Sequence, residues 1–178
     1  HHGLLRNTDG SAGRHDMAAD QRLYTHYLAD AGYHNGYVGK WHCGRERLPV
    51  DFGVPGWSLP DYGKVYMSDA YREYAKARGM GPAMARVEHS LDRPEHVGSE
   101  VALHHESPWY FMNGSGVLLG PPEAHEEQFV AHLTCEQLHE LAAGDGPWSL
   151  VASFWGPHQP YYPSEPFASM VEPASIPE

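Results

Sequence analysis

The sequence predicts an α/β fold, and three observations predict it. An amphipathic helical stretch at 17–31 runs through Gly32 directly into a strand-like run, "NGYVGKW". A second helical stretch at 123–144 leads into another strand-like run. That run, "WSLVASFW" at 148–155, is almost uninterruptedly apolar, as strands covered on both faces are in the inner positions of parallel sheets.

The first helix carries Leu23, Tyr24, Tyr27, Leu28 and Ala31 as one apolar stripe. Asp16 can cap its start, and Gly32 can end it in the left-handed conformation. "VPGWSLPDYG" at 54–63 reads as a turn-rich loop. A helix is predicted over 68–78, with Ser68 as its cap. Residues 79–106 show no clear period and read mostly as loop. "PWYFMNG" at 108–114 reads as a strand ending at an Asn-Gly turn. In the helix over 123–144, Phe129, Val130, Leu133, Leu138 and Leu141 line one side, acids crowd the first turn, and Gly144 follows the last. The segment after 155, "GPHQPYYPSEP", holds too much proline to continue a helix or a strand.

With 178 residues the chain suffices for one core or for a large piece of a bigger one. Its formal net charge of -11 disfavours nucleic acid and anionic membranes, since both select a basic face. A small anion held in a local basic pocket remains compatible with that charge. No apolar run approaches the roughly 18 residues of a membrane span, and no signal-like segment fixes a compartment. Cys43 and Cys135 form no metal motif and no disulfide pattern. The 14 histidines are spread along the chain, with pairs at 1–2 and 104–105, and none has the paired spacing of a zinc site.

The chain's three lysines include one at an informative place, Lys40 in "GYVGKWHCG" (36–44). On a strand, Lys40 and His42 share a face and Trp41 points away into the packing. Gly39 removes a side chain and lets another group approach the backbone. An ammonium and an imidazole then stand at a strand's carboxyl end, where open α/β sheets bind ligands. His158 lies just past the end of the 148–155 strand, bracketed by Pro157 and Pro160 in a stiff turn. Such cations and N–H donors suit a tetrahedral oxyanion, sulfate or phosphate. The plainer reading makes Lys-x-His surface decoration and Pro-His-x-Pro a simple loop.

"AGYHNGYVGKWHCG" (31–44) resembles the second signature of the sulfatase family, which typically runs Gly-Tyr, Thr or Ser two residues on, then Gly-Lys-Trp-His and Leu-Gly. "SFWGPHQPYYPSEPF" (153–167) resembles the family's later strand ending in Pro-His-x-Pro, and "HHGLL" at the start resembles the stretch just downstream of its nucleophile motif, Cys- or Ser-x-Pro-x-Arg. The resemblance spans nearly the whole chain in the right order. It implies an alkaline-phosphatase-like fold, a mixed and mostly parallel sheet flanked by helices. It implies hydrolysis of a small-molecule or sugar sulfate ester by a formylglycine nucleophile beside a divalent metal, usually Ca2+. Lys40 would then bridge nucleophile and sulfate oxygens, and His42 would take a proton from the formylglycine hydroxyl. His158 would bind the sulfate and act as an acid at the leaving oxygen.

Asn35 and Cys43 depart from the signature, at positions where the family prefers Thr or Ser and Leu. No Cys- or Ser-x-Pro-x-Arg occurs, and the family's Asp pair, its later metal ligands and its second sulfate-binding Lys have no match, so no metal ligand is assigned within this chain. The resemblance therefore implies that 1–178 is an internal portion of a sulfatase-like catalytic domain, with the nucleophile and metal segment and the C-terminal part lying outside it. Three alternatives stand beside this: a phosphonate monoester or phosphodiester hydrolase of the same superfamily, a catalytically dead relative, and a non-catalytic metal-binding module built on the histidines. On the sulfatase reading the purified 178-residue chain is expected to be inactive. Release of 4-nitrocatechol from its sulfate ester, above a heat-denatured control, is the measurement that checks this.

Overall fold

The structure is a computed structural model that describes residues 17–103 and 114–177. Asp16, the "HHGLL" opening, His104, His105 and the 108–113 part of the expected strand lie outside the described residues. The chain is α/β, as its helix–strand alternation predicts, and divides into two compact units. The first comprises residues up to Gly63 together with Val130–Phe154; the second comprises Lys64–Phe129 and Trp155 onward.

In the first unit, α1 (Tyr24–Asp30) leads into β1 (His34–Gly39). β1 is the centre of a three-stranded parallel sheet, with β2 (Gly56–Trp57) on one side and β6 (Trp148–Ser153) on the other. All its pairings among the described residues are parallel. The inner strand is β1, with Val38 only 1% exposed, whereas β6 has one strand neighbour among the described residues and is half-exposed along most of its length. The apolar run at 148–155 therefore marks a strand but not its central place, since apolar content does not by itself bury a strand. Most of α3 (Glu126–Ala143) belongs to this unit and covers the sheet at Gly36. A Cβ there would meet Leu150 Cδ1 at 2.9 Å and Gln137 Nε2 at 3.0 Å.

α1 is shorter than its sequence predicts. It starts after Leu23, and its buried side is Thr25, while Tyr24 and Tyr27 of the expected stripe are about 60% exposed. Gly32 does follow the helix in the left-handed region, at φ +86°.

The second unit holds α2 (Asp69–Ala77), capped as expected by Ser68, whose Oγ accepts from Tyr71 N–H at 3.2 Å and donates to the Val65 carbonyl at 2.7 Å. The 79–106 stretch read as loop contains two strands. β3 (Met84–Ser90) is the middle of an antiparallel sheet between β4 (Glu100–Ala102) and β5 (Gly114–Leu119). Its alternation was short and built on small residues, Ala85 and Val87, yet both are fully buried against Tyr162. The proline-rich 161–163 segment, expected to leave regular structure, runs beside β5. Gly116 N–H donates to the Tyr161 carbonyl at 3.0 Å, and Leu118 N–H to that of Pro163 at 3.0 Å.

A tyrosine cluster holds the start of α3 in this unit. Tyr71 and Tyr74 pack edge-on against Phe129, with ring centroids 5.6 and 5.1 Å away. Their hydroxyls donate to the carbonyls of Ala124 at 2.7 Å and Glu123 at 2.9 Å, and the Tyr66 hydroxyl accepts from Glu126 N–H at 3.1 Å. Burial pushes the Tyr71 hydroxyl up to about 12 from the usual 10, with Tyr74 and Glu126 beside it adding to the rise. A hydroxyl raised in this way keeps its proton in the folded chain after the unfolded chain has lost it. Stability from this group is thus complete below pH 10 and is lost as the pH climbs toward 12. Urea midpoints should hold level up to about pH 10 and fall beyond it, and Tyr71→Phe should remove part of that fall.

Candidate functional site

β1 ends at Gly39, whose φ of +111° turns the chain out of the sheet. A Cβ at Gly39 would stand 1.8 Å from the Ser153 carbonyl oxygen, so only glycine fits. Ser153 is the last residue of β6 and pairs with Gly39, and its carbonyl accepts from Lys40 N–H at 2.7 Å. The Lys40 carbonyl accepts from the Tyr37 hydroxyl at 2.6 Å. Lys40 is therefore fixed by its backbone at the carboxyl end of the central strand, and its side chain is half-buried.

Lys40 and His42 lie beyond the strand, not on it, so strand alternation does not govern which way they face. His42 is exposed two residues on. Trp41 does go into the packing, edge-on to Tyr37 with ring centroids 5.4 Å apart and tilted against Phe52 at 6.1 Å. Two further basic residues follow that sequence reasoning did not single out. Arg45 pairs with Asp61 at 2.5 Å, and Arg47 donates to the Met17 carbonyl at 2.5 Å. Both brace the Lys40–Arg47 segment against its neighbours. Cys43 is a half-buried free thiol pushed up by burial, and Cys135 is an exposed one.

His158 belongs to the second unit. It sits in a turn closed by its own N–H, which donates to the Trp155 carbonyl at 3.1 Å. The Gly156–Pro157 and Gln159–Pro160 peptides on either side are cis. The ring is exposed, and its Nδ1 lies 2.7 Å from the Gln159 carbonyl oxygen. A carbonyl can only accept, so Nδ1 carries the proton and Nε2 of the neutral ring presents a lone pair. Gly156 N–H donates to Glu127 Oε1, and Glu127 N–H donates to His125 Nδ1 at 3.2 Å. Burial pushes the His125 imidazole down, which favours the neutral ring this bond needs.

Lys40 and His42 thus share one segment at the carboxyl end of β1, and His158 occupies its own turn, five residues past β6. Among the described residues no group of three or more His, Cys, Asp or Glu is placed to hold a metal ion. No described helix is long and apolar enough to cross a membrane.

Gly39→Ala combines a forbidden approach to backbone with an unfavourable φ. It should lower stability by on the order of 3 kcal/mol, read from urea unfolding, against well under 1 kcal/mol for Gly81→Ala, where the added Cβ meets nothing. Comparison with known proteins yields no match to any family model, any curated protein or any solved structure.

Proposed function

We propose that the chain is part of the catalytic domain of a sulfatase-type hydrolase with an alkaline-phosphatase-like fold, acting on a small-molecule or sugar sulfate ester. One observation carries the reading. The Gly-Lys-Trp-His segment and the strand leading to Pro-His-x-Pro come from adjacent parallel strands that end in register, Gly39 opposite Ser153. The carboxyl end of a parallel sheet is where such folds bind ligands.

In this reading the Lys40 ammonium contacts a sulfate oxygen and offsets charge as the ester S–O bond breaks. His42, exposed at the same rim, takes a proton from the nucleophile's hydroxyl. His158 offers Nε2: unprotonated it accepts, and protonated it donates to a sulfate or leaving-group oxygen. Formylglycine would supply the attacking oxygen and a divalent cation would polarise the sulfate, and both would come from segments outside these residues. The phosphonate and phosphodiester hydrolases of the same superfamily share this basic rim and stand as the second reading.

The test uses the longer polypeptide that carries the nucleophile segment. Lys40→Ala and His158→Ala should each lower kcat/KM for 4-nitrocatechol sulfate on the order of 10²-fold or more. Unchanged rates in both variants would remove the two residues from the chemistry. Faster turnover of the matching phosphodiester than of the sulfate would transfer the assignment to the second reading.

A further inference from the structure

We infer that Glu127 is a positioning residue for His158: its carboxylate, held by the Gly156 amide, fixes the turn that sets which nitrogen the imidazole presents. The inference rests on the functional reading above only for the importance it gives His158.

The turn is secured on both sides. Upstream of His158, Gly156 N–H donates to Glu127 Oε1. Downstream, Tyr161 N–H donates to the Gly114 carbonyl at 3.1 Å and the Tyr161 carbonyl accepts from Gly116 at 3.0 Å, which ties the chain to β5. Between these anchors His158 N–H closes on Trp155, and Nδ1 closes on the Gln159 carbonyl. The ring itself is exposed, so these backbone anchors are what define its turn.

Glu127 is a suitable post. It lies in the first turn of α3, where the positive end of the helix dipole favours a carboxylate. The residues around it are immobilised by the Tyr66, Tyr71 and Tyr74 hydroxyls and by Phe129, which is 1% exposed. A carboxylate accepting from a backbone amide makes one of the stronger hydrogen bonds available to a protein. The approach is close enough that a Cβ on Gly156 would come within 2.7 Å of Glu127 Oε1 and push the carboxylate from its place.

The experiment follows the two ring nitrogens of His158 by long-range ¹H–¹⁵N NMR on the 178-residue chain, with the ring neutral. In the parent chain Nδ1 should be the protonated nitrogen. Glu127→Ala should raise the Nε2–H form on the order of fivefold, the consequence of losing one charge-assisted hydrogen bond, and should shift the Gly156 amide. Glu127→Gln keeps an acceptor oxygen and should restore the parent pattern, a rescue that a role in bulk stability alone would not give. Gly156→Ala reaches the same end from the other partner and serves if Glu127→Ala does not fold. An unchanged tautomer ratio in both Glu127→Ala and Gly156→Ala overturns the inference, as does a Gln variant that behaves like Ala. Because no substrate is present, failure here is separate from failure of the kinetic test on Lys40 and His158.

Discussion

Six residue pairs hold β1 against β6, from His34 opposite Trp148 to Gly39 opposite Ser153. This parallel ladder is the constraint on which the first unit depends. Parallel strands need a crossover between them, and α3 is the part of that crossover that lies on the sheet. Gly36 favours close cover by α3, because a Cβ there would press on the side-chain ends of Gln137 and Leu150. The ladder's last rung requires Gly39, because its neighbour there is a carbonyl oxygen. Two glycines three residues apart therefore do different work, one admitting a helix and the other closing a register.

A similar economy governs the second unit. Three tyrosines fix the start of α3 through their hydroxyls, while the rings of Tyr71 and Tyr74 pack on Phe129 and that of Tyr66 on Tyr71. Each ring removes apolar surface from water, and each hydroxyl satisfies a backbone group near a helix end that lacks a partner within the helix. The result is a rigid base for Glu127, and through Gly156 for the turn that follows β6.

How much of this was legible from residues alone depended on the kind of signal. Ser68 and the α2 it caps were readable because a cap acts locally. The β1 and β6 strands were readable because apolar runs bounded by turns are local as well. Which strand was central was not, since that depends on pairing partners more than a hundred residues apart. β3 was missed because two small residues, Ala85 and Val87, make a weak alternation, and only the distant Tyr162 turns them into a core. The stripe on α1 misled because tyrosine tolerates solvent, so Tyr24 and Tyr27 counted as apolar without being buried. Of the candidate site, the positions of Lys40 just past β1 and of His158 in the proline turn after β6 could be read directly. The bracing by Arg45, Arg47 and Glu127 could not, because each acts on backbone or on a residue distant in sequence.

Among the described strands, β6 has a further consequence as the outermost of its sheet. Trp148–Ser153 carries no charge and no proline, and Trp148 is 40% exposed. Natural proteins commonly blunt a bare border of this kind with lysine, proline or a bulge, because its free amides and carbonyls recruit any extended chain nearby. Trp148–Ser153 itself supplies no lysine, no proline and no bulge. A charged residue introduced along this margin is therefore the means to discourage chain-to-chain pairing at β6.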